Sequence, residues 1–147
     1  MSSGMNLEFE FLDNETIIYL AGDIDSSIES LMKLAKKKVQ HSRLTLDCGN
    51  IGHIRGDGIV PWMNGLEFLK EGLEVKLDRC TQVFVDLSKM IPQFTRSLGI
   101  RSFYSSVVCL HCDSEQTLLI ELIDDHPIMT NEESCKKCGQ LFPLVLP

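Results

Sequence analysis

Four cysteines in two pairs carry the strongest chemical signal in this chain. Cys109-Leu110-His111-Cys112 and Cys135-Lys136-Lys137-Cys138-Gly139 are separated by 22 residues. A Cys-x-x-Cys turn places two thiolates on one ion at about 2.3 Å, and two such turns complete a tetrahedral four-sulfur shell. Such a shell is closed and structural, because four thiolates leave no coordination position for water. Gly139 suits the left-handed backbone of a knuckle, and the intervening TLLIELI, Thr117 to Ile123, reads as a strand of a small ribbon. The long separation is read as a loop through Asp124-Asp125-His126-Pro127. The expected ion is Zn2+ on Cys109, Cys112, Cys135 and Cys138. Iron in a rubredoxin-like site uses the same ligands, although the extra glycines and aromatics of such sites are absent. His111 and His126 are alternative ligands, more simply read as solvated loop histidines. A redox Cys-x-x-Cys gives no reason for a second pair. Cys48 and Cys80 lie in strand contexts and read as small buried hydrophobes.

A second stretch, IGHIRGDGIVPW from Ile51 to Trp62, turns from a strand through glycines into a helix. Helix N-termini offer free N–H groups and a positive dipole end, so the turn Arg55-Gly56-Asp57-Gly58 is a candidate binding site. Asp57 reads most simply as the N-cap of the helix, its carboxylate favoured there by about 0.3–1 kcal/mol. A fixed negative charge recognised by a partner is the alternative. His53, beside the turn, is either a satisfied histidine at a core edge or a ligand contact.

The elements that position these residues follow from periodicity. Leu7, Phe9 and Phe11 alternate with Glu8 and Glu10, and Thr16 to Ala21 resumes after Asp13-Asn14-Glu15, a β-hairpin. Ser26-Ser27-Ile28-Glu29 offers a Ser-x-x-Glu capping box before a helix with Ile28, Leu31, Met32, Ala35 and Val39 on one face. Lys33 and Lys36-Lys37-Lys38 read as its solvated side. Arg43 to Cys48 is a central strand. Ile59, Trp62, Met63, Leu66 and Leu69 mark a second helix, with Pro61 tolerated in its first turn and Gly72 ending it. Leu73 to Leu77 is a strand. Thr81 to Leu98 is helical, kinked or divided at Pro92, and Ser105 to Cys109 is a last strand. Strands alternating with helices imply a mostly parallel or mixed sheet with helices packed against it.

The order of elements and three stretches, LAGDID, LTLDCGNIGHIRGDGI and the SLGI that ends the late helix, resemble the STAS domain of bacterial anti-sigma factor antagonists and transporter C-terminal regions. The resemblance covers residues 6 to 108. It implies a STAS-like α/β fold with a mixed β-sheet and packed helices, and a signalling role in which the domain binds a regulatory protein partner, often switched by phosphorylation. Antagonists of that family carry Asp-Ser-Ser-Gly at this turn, the first serine being the phosphate acceptor. Here the acceptor position falls on Gly56, which has no hydroxyl.

The chain thus divides into a STAS-like domain, residues 6–106, and a zinc-ribbon-like module, residues 107–147. Of its 147 residues 44% are apolar and 24% charged, an ordinary globular composition. The net charge of −7 is uneven. Residues 107–147 carry 7 acidic and 2 basic side chains, which disfavours nucleic acid as a partner. No apolar run is long enough to span a bilayer and no signal-like segment opens the chain, so a cytoplasmic protein without a membrane partner is expected. No nucleophile–base pair, carboxylate dyad or phosphate-binding glycine loop has the spacing a mechanism needs, which points away from an enzyme. The leading expectation is a non-catalytic regulatory interaction module. The alternative is an anion- or nucleotide-sensing domain using Arg55 and the N–H groups after Gly56. Homodimerisation stays open.

Overall fold

The computed structural model describes residues 5–96, 98–123, 126–129 and 135–140, for 123 and 126–129 the backbone alone. The expected hairpin forms from β1 (Asn6–Phe11) and β2 (Thr16–Ile24), paired antiparallel. Helix α1 (Ile28–Lys36), strand β3 (Arg43–Ile54), helix α2 (Ile59–Lys70), strand β4 (Glu74–Asp78), helix α3 (Gln82–Met90) and the short strand β5 (Gly99–Ile100) follow. The five strands form one mixed sheet in the order β1-β2-β3-β4-β5, parallel from β2 onward.

Register decides which side chains reach the core. Ile18, Leu46 and Leu77 stand side by side across β2, β3 and β4, with Leu44 beside Val75 one step away. All are buried with Ile28, Met32 and Ala35 of α1, Trp62, Leu66 and Leu69 of α2, and Phe84 of α3. The helices therefore cover one face, and residues of opposite parity, among them Tyr19, Thr45, Asp47 and Lys76, lie on the other. Gly65 lets α1 and α2 approach, since a Cβ there would fall 2.3 Å from Met32 Sδ. Trp62 stacks on Phe94 at 6.0 Å and meets Phe84 edge-on at 5.6 Å. Its indole N–H donates to the Phe94 carbonyl at 3.1 Å, so its one polar atom is satisfied in the core.

Several local expectations change. The capping box does not form: Asp25 Oδ1 accepts from Ser27 N at 2.9 Å, while Glu29 pairs with Lys33. The helix starts one residue later than the box requires, with Ser27 at the cap position and no side-chain cap bond, and Asp25 holds the Ser27 N–H and hydroxyl in a local turn instead. The central strand does not stop at Cys48 but runs unbroken to Ile54, because β2 also continues and pairs Ile24 with Ile54. Pro92 divides the late helix, with α3 ending at Met90, a 3-10 turn spanning Pro92–Thr95 and Arg96 left-handed at φ 53°. Lys36 is not simply solvated. Its ammonium donates to the Phe68 and Glu71 carbonyls at 2.7 and 2.8 Å and caps the end of α2.

The last strand also belongs elsewhere. Ser105 to Val108 lies within β6 (Ser102–Val108), which pairs antiparallel with β7 (Glu115–Ile123), and β7 with β8 (His126–Met129), in a separate three-stranded sheet. His126 and Pro127 thus sit in a strand, while the loop expected at Asp124 and Asp125 falls outside the described residues. The two sheets meet at Arg101. Arg101 N donates to Leu77 O in the first sheet, and Leu122 N donates to Arg101 O in the second. Cys80 bridges Phe103 in parallel fashion, with Cys80 N bonded to Ser102 O and Tyr104 N to Cys80 O.

Candidate metal centre and candidate docking turn

The cysteine knuckles are built alike. In the first, Asp113 N donates to Cys109 O and Cys109 N to Ser114 O, both at 2.8 Å. In the second, Gly139 N donates to Cys135 O at 2.8 Å and Cys135 N to Gln140 O at 2.7 Å. Each turn closes through a left-handed residue four positions after its first cysteine, Asp113 at φ 60° and Gly139 at φ 80°. Glycine meets that need without steric cost, as the sequence suggests for Gly139. Aspartate, one of the few other residues that visits this region, meets it at position 113.

These turns bring all four expected ligands together. The Sγ atoms of Cys109, Cys112, Cys135 and Cys138 all lie within 4.8 Å of one another. The pairs Cys109–Cys138 and Cys112–Cys135 are each 3.5 Å apart. Sulfurs at 2.3 Å from one tetrahedral ion stand about 3.8 Å apart, so the cluster has the dimensions of a single-ion site. Cys109 and Cys135 are buried, Cys112 is half-buried and Cys138 is exposed.

Donors converge on these sulfurs, most of all on Cys135. The Ser114 hydroxyl stands 3.2 Å from Cys135 Sγ and 3.1 Å from Cys112 Sγ. Lys137 N and Cys138 N donate to Cys135 Sγ at 3.4 and 3.5 Å, and Gln116 Nε2 reaches it at 3.7 Å. Led by the Ser114 hydroxyl and then the Cys138 N–H, these bonds lower the Cys135 thiol to about 5. A sulfur held as thiolate is a ready metal ligand. The sequence singled out the four cysteines but not Ser114 or Gln116, whose reach depends on β7 running beside the second knuckle. Cys48 and Cys80 are fully buried, as expected. A hydrogen bond to Cys80, then burial, pushes the Cys48 thiol well up, so it is an inert core group. His111 is exposed and outside the cluster.

The turn at the end of β3 forms a short 3-10 helix, Gly56–Gly58, leading directly into α2. Arg55 N donates to Ile24 O and Gly58 N to Arg55 O, each at 2.9 Å, which fixes the turn against the end of β2. Gly58 is needed for that approach, since a Cβ there would lie 2.7 Å from Ile24 O. Gly56 has open space around it. Asp57 is not the N-cap. The cap position of α2 is Gly58, without a side-chain bond, and the Asp57 carboxylate is 62% exposed, 3.9 Å from Arg55 Nε. The 3-10 turn draws the chain into helical geometry before α2 and leaves Asp57 no free N–H to cap. Arg55 is 60% exposed, and Val60 in the first turn of α2 is exposed as well. His53 is not a core-edge histidine: its ring is 89% exposed, 3.5 Å from Asp23 Oδ1.

The helix-free face carries charged groups that the sequence did not single out. Arg79, left-handed at φ 49°, grips both carboxylate oxygens of Asp47, Nε to Oδ2 at 2.9 Å and Nη2 to Oδ1 at 2.8 Å. Its Nη1 reaches Tyr104 Oη at 3.4 Å, and its backbone N donates to Ser102 Oγ at 2.8 Å, so one arginine ties β3 to β6. A cavity of about 390 Å³ lies at the other end of this face, among Glu15, Arg43, Thr45, Glu74, Lys76 and Arg101. Arg43 already pairs with Glu74, and Arg101 with Glu15 and Thr45.

No helix among the described residues is long and apolar enough to cross a membrane. No protein-family model matches the chain. No curated protein matches it either. Among solved structures it is similar to the anti-sigma factor antagonist SpoIIAA in its unphosphorylated form, with a TM-score of 0.47 and 11% identity over 65% of this chain and 87% of that one.

Proposed function

We propose that the chain is a non-catalytic regulatory module that binds a protein partner at the turn Arg55-Gly56-Asp57, and that its four clustered cysteines hold one structural zinc ion. In this reading residues 6–106 form a STAS-like unit and residues 107–147 a zinc ribbon, with β6 spanning the boundary. The observation that carries it is the turn itself: a backbone fixed against β2 presents two oppositely charged side chains and an exposed valine that the fold does not use. Rigid presentation lowers the ordering cost of binding. Phosphate cannot toggle this surface, because Gly56 has no acceptor oxygen.

Capture from a native cell extract on immobilised protein tests this. Arg55→Glu exchanges an attraction for a repulsion and weakens retention of a specific partner by more than about 1 kcal/mol, roughly fivefold. The melting temperature stays nearly constant, since an exposed substitution changes stability by no more than about 0.5 kcal/mol. Equal retention by both proteins contradicts the docking role.

A further inference from the structure

We infer that the cysteine cluster is a peroxide-sensitive modification site, in which oxidation begins at Cys138, ends in a Cys109–Cys138 disulfide and expels the metal. The inference rests on the zinc reading above and adds what the site responds to. The four sulfurs differ in access and in hydrogen bonding. Cys135 is buried and receives Ser114, Gln116, Lys137 and Cys138 donors. Cys112 is half-buried and shares the Ser114 hydroxyl. Cys109 is buried at 1% exposure. Cys138 alone of the four is exposed, and none of the side-chain donors that serve Cys135 and Cys112 reaches it. Cys138 does receive the Gln140 backbone N–H, but burial hinders approach at the other three sulfurs, so attack by a small electrophile starts at Cys138.

The second step follows from geometry. The Cys138 thiolate attacks one oxygen of a hydroperoxide, the O–O bond breaks, hydroxide leaves and Cys138 becomes a sulfenic acid. Cys109 Sγ, in the other knuckle, stands 3.5 Å from Cys138 Sγ. The Cys109 sulfur attacks the sulfenic sulfur, the S–O bond breaks, a second hydroxide leaves and the disulfide forms. Two thiolates are oxidised by two electrons and the peroxide is reduced to two hydroxides. The ion, left with Cys112 and Cys135, loses half its shell and dissociates. The bond joins the two knuckles rather than closing either one. A module that cannot be switched by phosphate at Gly56 thereby gains a switch in its ribbon.

The test uses the full chain with its zinc content measured first, then one equivalent of hydrogen peroxide. A chromogenic chelator follows the released zinc, and peptide mapping after alkylation follows the products. The expected result is zinc release in step with a peptide pair joined through Cys109 and Cys138. Brief iodoacetamide treatment of the zinc-loaded protein labels Cys138 before the other three ligands. Cys138→His, which keeps a ligand atom without an oxidisable sulfur, slows peroxide-driven release by at least about tenfold. Bonds within the knuckles, Cys109–Cys112 or Cys135–Cys138, or first labelling at another ligand, overturn the inference while leaving the zinc reading intact. A preparation without zinc overturns that reading and the inference with it.

Discussion

Removing the metal with an excess of a strong zinc chelator separates the two sheets by stability. Among the described residues, the buried apolar side chains around the knuckles other than cysteine are Val107 and Leu118. At about 1.5–3 kcal/mol each they supply roughly 3–6 kcal/mol. Fixing the backbones of the twelve knuckle residues, 109–114 and 135–140, costs about 12–24 kcal/mol at 1–2 kcal/mol per residue. A structural zinc ion contributes about 10–16 kcal/mol, which is the size of the gap. The larger core has no such dependence, since Ile18, Leu46, Leu77, Trp62 and Phe84 are buried in one cluster on the first sheet. Hydrogen exchange read by mass spectrometry distinguishes the units. On chelation the amides of Asp113, Cys135 and Gly139, which close the knuckles, lose at least about 100-fold of their protection. Amides of β2 and β3 change by less than about twofold, and emission from Trp62, the single tryptophan, stays constant. The Tyr104 amide also stays protected, because it donates to Cys80 of the first unit. Unchanged protection of the knuckle amides in chelator, or equal loss in β3, refutes the reasoning.

Further outcomes follow from the same geometry. If the chelated ribbon is unfolded, all four thiols start protonated near their ordinary value, so zinc binding tightens with rising pH by close to four log units per unit between about pH 6 and 7.5. A site that stays folded without metal keeps Cys135 at about 5, already a thiolate in that range, and gives a slope of three or less. Arg79→Met strands the Asp47 carboxylate, whose side chain is 10% exposed. The usual cost of about 3–5 kcal/mol for breaking a buried pair falls to about 2–3, because Arg79 is itself 34% exposed, and a melting curve shifts down by about 4–12 °C. A loss under about 1 kcal/mol contradicts the role of Arg79 in joining the units. Gly56→Ser leaves denaturant stability within about 0.5 kcal/mol, while Gly58→Ala costs about 1–3 kcal/mol through its clash with Ile24 O. Equal stability of the two variants would show that the turn is not held as described.

The features legible in the sequence are those set by local periodicity or fixed spacing. Alternation in LEFEF, the stripe from Ile59 to Leu69 and the two Cys-x-x-Cys turns each specify their own geometry, and all are present. What the sequence left open depends on partners distant in the chain. Alternation marks Ser105 to Val108 as a strand but is silent on which sheet receives it, and pairing with Glu115–Leu118 decides that. Lys36 as a cap for α2 and Arg79 as a clamp on Asp47 each act across more than thirty residues, and no pattern on their own elements announces them. Asp57 and the Ser26-Ser27-Ile28-Glu29 box show a different limit: the backbone decides where a helix starts, and α2 after its 3-10 turn and α1 with Ser27 at the cap each begin one residue later than the side chains suggest.

The most direct test of the central claim is the metal content of the chain purified without chelator, measured by elemental analysis together with a thiol titration under denaturing conditions. The account gives one zinc per chain and six free thiols, with Cys109, Cys112 and Cys135 shielded from reaction until the metal is removed. Less than about 0.2 equivalents of zinc, with Cys109, Cys112, Cys135 and Cys138 all freely alkylated in the native protein, contradicts it.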